Sequence, residues 1–204
     1  PPAAPLAAPV AKKTRVLPPE LYDNFDPVMS RRQFRELVTI SSILFDALRT
    51  NNISFVPNGG SFIGALRHHG LIPWDDDVDL YYEGTSRNRK IIRNVILPRV
   101  IESGYEGALE KSNVFSICGG KVCATAMQFC RDGNVIILRC GFKMRFTVSA
   151  SHFFPLKWVP WHSTVISIPF NPTKYWDGAG THDQREGRIT KGDMLADVMA
   201  TGVI

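Results

Sequence analysis

Residues 58–82 read NGGSFIGALRHHGLIPWDDDVDLYY, and the rest of the chain can be read outward from them. Two histidines stand in tandem (His68, His69) after Arg67, and four aspartates follow (Asp75, Asp76, Asp77 and Asp79). Asp75, Asp77 and Asp79 recur at every second position, with Val78 and Leu80 between the later ones. A β-strand sends alternate side chains to opposite faces, so Asp77 and Asp79 share one face while Val78 and Leu80 pack behind. Asp75, at the strand mouth, leans the same way. Carboxylates crowded on one face repel each other unless a positive group lies between them, and a hard divalent cation is the usual one.

Two other accounts of the acidic run are weaker. An EF-hand loop requires glycine at its sixth position and glutamate at its twelfth; Leu80 and Ser86 hold those places. A solvated acidic turn fits poorly with Ile72-Pro73-Trp74 before it and Val78 and Leu80 within it, which describe a buried setting where charge needs a partner.

Upstream, Ile53–Val56 reads as a short buried strand stopped by Pro57-Asn58-Gly59-Gly60, and Ser61–Arg67 as a short helix. Strand, glycine turn and helix N-terminus together make an anion site, because bare backbone N–H groups and the helix dipole both favour negative charge. A lone Gly-Gly is more often only a tight turn; the acidic strand that follows shifts that balance. A phosphate-holding turn and a D-x-D strand are the parts from which nucleotidyltransferase-type folds build a phosphoryl-transfer site. Such chemistry asks mainly for positioning and charge neutralisation.

The chain has 204 residues, 44% hydrophobic and 21% charged, which suits one domain with an appendage. A formal charge of +5 favours anionic partners such as phosphates, nucleotides or membrane surfaces. No apolar run reaches the roughly 18 residues of a membrane-spanning helix. The chain opens at Pro1 rather than Met, as an excised piece would, with any leader or anchor removed. Residues 1–20, rich in Pro and Ala, read as a linker or stalk; 21–176 as the folded domain; 177–204 as a polar, weakly patterned tail.

Within the domain, Ser30 is placed to cap a helix whose Phe34, Leu37, Val38, Ser41, Leu44, Phe45 and Leu48 recur at steps of three and four, ending near Thr50-Asn51-Asn52. A second helix is expected over Arg87–Ile101 with Pro98 interrupting it; its basic residues Arg87, Arg89, Lys90 and Arg93 fit a solvated face. From Gly104 the chain turns strand-rich: Asn113–Cys118, Lys121–Cys130, Asn134–Cys140 and Phe142–Ser149, then a loop over Phe153–Pro172 holding one strand, Val165–Ile168. Cys118, Cys123, Cys130 and Cys140 form no CxxC pair, which argues against a zinc ribbon and leaves disulfides and packed free thiols both open. Asn52-Ile53-Ser54 is a formal glycosylation sequon that reads as chance.

Gly59–Leu80 closely resembles the signature of the LicD/fukutin family, G-G-[ST]-L-L-G-A-x-R-H-x-G-x-I-P-W-D-x-D-[IV]-D. Looser echoes lie at Phe154-Pro155-Leu156-Lys157 and Ile168-Pro169-Phe170-Asn171-Pro172. The resemblance implies an α/β (α+β) nucleotidyltransferase-like fold, a mixed sheet flanked by helices with a strand-rich C-terminal part. It implies an Mg²⁺- or Mn²⁺-dependent transferase that moves a phospho-alcohol, phosphocholine or an alditol phosphate, from a CDP-activated donor to a hydroxyl of a glycan or glycoprotein, with no nucleic acid polymer as partner. By the same resemblance Asp77 and Asp79 match the metal-binding carboxylates, and Asp75 a general base or supporting group. Gly59, Gly60 and Ser61 match the turn facing the donor phosphates. Arg67 and His68 match a pair that neutralises phosphate or orients a carboxylate. It leans toward the Golgi lumen for a eukaryotic source and the cytoplasm for a bacterial one.

The chain also departs from that pattern. The family places a further aspartate on a later strand, whereas Val135–Val148 holds no acid; Asp132, Asp177 and Asp183 lie elsewhere. The alternative function is therefore a degenerate member that binds a glycan or a protein.

Overall fold

The computed structural model describes residues 29–72 and 75–178. The expected linker (1–20), all but the first two residues of the expected tail (177–204), and Pro73-Trp74 lie outside them.

Helix α1 (Arg31–Thr50) starts where the sequence places it. Ser30 Oγ accepts the Gln33 N–H at 3.3 Å while Gln33 Oε1 accepts the Ser30 N–H at 3.0 Å, a reciprocal capping box. Leu37, Ile40, Ser41, Leu44, Phe45 and Leu48 form its buried stripe, which lies across the central sheet. The helix ends at Asn51, and Asn52 turns the chain with a left-handed φ of 54°.

The central sheet is mixed. Strands β1 (Phe55–Pro57), β2 (Asp77–Glu83), β5 (Val122–Asp132), β4 (Phe115–Gly119) and β3 (Glu106–Leu109) run in the order β1-β2-β5-β4-β3, with β6 (Val135–Leu138) on the far half of β5 and β7 (Phe146–Ser149) beside β6. Only β2 and β5 pair in parallel; the other pairs are antiparallel. A separate hairpin, β8 (Lys157–Trp161) and β9 (Thr164–Ile168), packs against β1, where Ser167 Oγ donates to the Phe55 carbonyl. Helices α2 (Gly59–Arg67), α3 (Ser86–Ile91), α4 (Leu97–Glu102), α5 (Ala150–Phe153) and α6 (Pro172–Gly178) fill the connections. Large aromatic side chains, among them Phe45, Phe55, Phe62, Tyr81, Tyr82, Phe115, Phe129, Phe153, Trp161 and Tyr175, are fully buried and share the core with many Leu, Ile and Val side chains.

The structure sharpens the expected elements at four points. Helix α2 begins at Gly59, two residues earlier than Ser61, because glycine accepts the φ of +53° at the strand-to-helix corner. Pro98 interrupts the second helix without ending it: α3 runs on into α4, and the irregularity falls just before Pro98 as a π-helical turn, Ile92–Ile96. Phe153–Pro172 contains two strands rather than one, Pro160 being tolerated because the two-stranded sheet leaves each strand one unpaired edge. The strand Glu106–Leu109 was not expected from the sequence. The cysteine question resolves to two disulfides, Cys118–Cys123 and Cys130–Cys140. No helix among the described residues is long and apolar enough to cross a membrane.

Candidate active site

Strand β2 behaves as its alternation requires. Val78, Leu80 and Tyr82 point into the core, while Asp77, Asp79 and Tyr81 line the other face. Parallel pairing sets Asp77 beside Cys123, Asp79 beside Thr125 and Tyr81 beside Met127, so β5 contributes no carboxylate to that face. Asp132 ends β5, exposed at its turn, and Asp177 lies in α6; Asp183 is outside the described residues.

The start of α2 is joined to this strand through backbone and side chain. The Asn58 N–H donates to the Asp79 carbonyl and the Asp79 N–H donates to Ser61 Oγ, both at 2.9 Å. Ser61 thus serves the strand, fixing Asp79 against the helix. Gly60 packs so closely on Asp75 that a Cβ there would overlap the carboxylate. A Cβ on Gly59 would meet only open space, so the helix N-terminus is reachable from outside. Asn58 is buried and its Oδ1 has no hydrogen-bond partner. The structure therefore brings Gly60 to Asp75 and Ser61 to Asp79.

Carboxylate oxygens of Asp75, Asp76 and Asp77 lie within 4.8 Å of one another, the one such acidic cluster among the described residues. Oxygen ligands stand about 2.0–2.6 Å from a hard divalent cation, so oxygens sharing one ion are at most about 5 Å apart. The cluster fits that limit. Asp76 was not singled out in the sequence because alternation assigns it to the opposite face; it precedes the strand, where alternation does not yet apply. Asp79 is not part of this close set.

The carboxyls resist ionisation. Burial, then the charges of Asp77, Asp76 and Asp79, push Asp75 up to about 7, against a hydrogen bond from the Asp76 N–H that acts the other way. Burial and Asp77 push Asp79 up to about 6, the Arg139 guanidinium opposing them. Asp77 is raised by burial and by Asp76. A bound cation reverses both causes, replacing lost hydration and screening the mutual repulsion.

Arg67 and His68 end α2, seven and eight residues after Gly60, or roughly 10–12 Å along the axis. His68 is held below the usual imidazole range by burial and by the charges of Arg67 and His69. Two other residues shape the site without any sequence signal. His162, in the β8–β9 turn, accepts the Leu71 N–H on Nε2 at 2.9 Å, and its ring packs on Gly70, so the second hairpin clamps the loop between α2 and the acidic cluster. Arg139, after β6, lies close enough to the middle of β2 for its charge to act on Asp79 and Tyr81.

A mixed sheet whose acidic strand is tied to a glycine-started helix defines a nucleotidyltransferase-like domain. The solution structure of the antibiotic-resistance factor ANT(2'')-Ia matches over 84% of this chain and 86% of its own, at 12% identity and a TM-score of 0.51, and shows the same fold. The LicD/FKTN/FKRP nucleotidyltransferase-domain model matches residues 52–171, and the chain belongs to that family. An uncharacterized protein of Rickettsia typhi is 27% identical over 146 residues, covering 71% of this chain, which spans only 45% of that relative. The lipopolysaccharide cholinephosphotransferase LicD of Haemophilus influenzae is 62% identical over 29 residues, 14% of this chain and 11% of its own.

Proposed function

We propose that this domain transfers a phospho-alcohol from a CDP-activated donor to a glycan hydroxyl, with Mg²⁺ or Mn²⁺ as cofactor. The observation that carries the reading is the contact between Gly60 and the Asp75–Asp77 cluster, which sets a phosphate-type helix N-terminus against a cation-type acidic cluster. The Haemophilus relative, a lipopolysaccharide cholinephosphotransferase, supports this choice of substrate class. Pairing of all four cysteines favours an oxidising compartment such as the Golgi lumen.

Asp77, common to the alternating pair and to the close cluster, would hold the cation with Asp75 and Asp76. Such an ion would supply charge neutralisation on the donor diphosphate. The acceptor oxygen attacks the phosphorus bearing the alcohol, the bond from that phosphorus to the CMP oxygen breaks, and CMP leaves. The hydroxyl proton passes to the Asp75 carboxylate, which packs against Gly60 at the start of α2. Gly59 and Gly60 present backbone N–H groups to the diphosphate, and Ser61 keeps Asp79 in register. Release of CMP from CDP-choline, CDP-ribitol and CDP-glycerol in the presence of Mg²⁺ tests the reading. Asp77→Asn should lower turnover at least about 100-fold with the fold intact, and full activity of that variant contradicts the assignment.

One observation favours a second reading, a member that binds without turnover: the face of β5 beside the acids carries Cys123, Thr125 and Met127 rather than a carboxylate. CDP binding in Mg²⁺ with no CMP release from any of these donors would select it.

A further inference from the structure

We propose that Arg139 forms an anion subsite of this centre, its guanidinium taking a phosphate oxygen of the ligand beside Asp79 and Tyr81 of β2. This rests on the reading of the site as one for a nucleoside diphosphate.

Arg139 is placed with unusual care for a residue in a turn. Its backbone holds a left-handed φ of 55°, a conformation that non-glycine residues adopt only where the surroundings impose it. The next residue, Cys140, is tied twice, by its disulfide to Cys130 and by its N–H to the Gln128 carbonyl at 3.2 Å, and the Arg139 carbonyl accepts the Phe142 N–H at 3.0 Å. The side chain lies near the acidic strand, close enough for its charge to act on both Asp79 and Tyr81, and its Cζ stands 5.8 Å from the centroid of the Phe146 ring.

These contacts leave the guanidinium incompletely satisfied. Arg139 Nε is buried and has no acceptor in the chain, and an orphaned donor of a charged group carries a desolvation cost that a ligand oxygen would remove. Asp79 does not fill that role: the two charges influence each other but form no ion pair within 4 Å. A planar guanidinium with an unpaired N–H beside a carboxylate strand suits a phosphate, which it can grip through more than one oxygen. The acidic cluster draws in a cation at Asp75–Asp77 while Arg139 meets the anion further along the strand, dividing the diphosphate's charge between two positive groups.

Calorimetry with CDP and with inorganic pyrophosphate, each in Mg²⁺, tests this on the wild-type chain and on Arg139→Met and Arg139→Lys. The expected result is a Kd raised at least about tenfold by Arg139→Met for both ligands and partly restored by Arg139→Lys, with Mn²⁺ affinity in the absence of nucleotide not weakened. Unchanged CDP and pyrophosphate binding in Arg139→Met overturns the proposal, as does a parallel loss of Mn²⁺ affinity. Wild-type binding of pyrophosphate but not CDP removes the nucleotide-donor reading and leaves the subsite standing; binding of neither removes both. Should Arg139→Met fail to fold, the ¹⁵N-resolved Nε–H resonance of Arg139 in the wild type, assigned by its loss in Arg139→Lys, decides the matter. It shifts on pyrophosphate addition if the subsite exists and stays put if it does not.

Discussion

Gly60 and Asp75 define the site at the scale of single residues. The missing side chain at Gly60 makes room for the Asp75 carboxylate, so Gly60→Ala must displace that carboxylate or the helix start. Misplacement by about 1 Å costs catalysis on the order of 100-fold, and CMP-release assays should show a loss of that size while the circular dichroism spectrum stays native. The need for glycine there was legible as a Gly-Gly turn, but its packing on Asp75 was not, since contact between residues 60 and 75 is tertiary. Alternation along β2 correctly separated Asp77 and Asp79 from Val78 and Leu80. It missed Asp76, which lies outside the strand, and it says nothing of Arg139, a single basic residue among many.

Among the elements, the β8–β9 hairpin is the one whose function was hidden. Its first strand, Lys-Trp-Val-Pro-Trp, carries a proline that masks the strand signal, yet through His162 it clamps the loop leading to the acidic cluster. His162 must be neutral to accept the Leu71 N–H, and burial holds it below the usual imidazole range. A depressed folded value means that the unfolded chain takes up the proton first. The contribution to stability is therefore full above about pH 6.5 and is lost as pH falls below it. His162→Asn keeps a residue type that tolerates the local φ of 47° but is too short to accept the bond. In thermal unfolding, the Tm gap between wild type and His162→Asn should be widest near pH 7.5 and narrow toward pH 5; a gap independent of pH contradicts this role. The two disulfides were equally unreadable in advance, because cysteine spacing does not encode pairing. The first follows from strand register: Cys118 and Cys123 are partners across β4 and β5.

For the molecule as a whole, the carboxylates set a pH-dependent cost. Asp75 at about 7 and Asp79 at about 6 stand above their ordinary 3.8. The folded protein thus keeps protons that the unfolded chain has released, and the contribution of these groups to stability falls as pH rises from about 4 to 7. A divalent cation offsets the cost only where the carboxylates are ionised. MgCl₂ should therefore raise Tm at pH 8 and have little effect at pH 5, with Asp77→Asn shrinking the rise at pH 8; an equal rise at both pH values contradicts the cluster as a cation site. Family membership and the nucleotidyltransferase-like fold were legible because one contiguous segment carries both the glycine turn and the acidic strand. The partner face of β5 was not, since it depends on which strand pairs with β2. The most direct test of the central claim is calorimetric titration of the wild-type domain with CDP in the presence and absence of Mg²⁺. The account expects affinity at least about tenfold higher with the ion, an enhancement that Asp77→Asn abolishes; the same affinity with and without Mg²⁺ would contradict it.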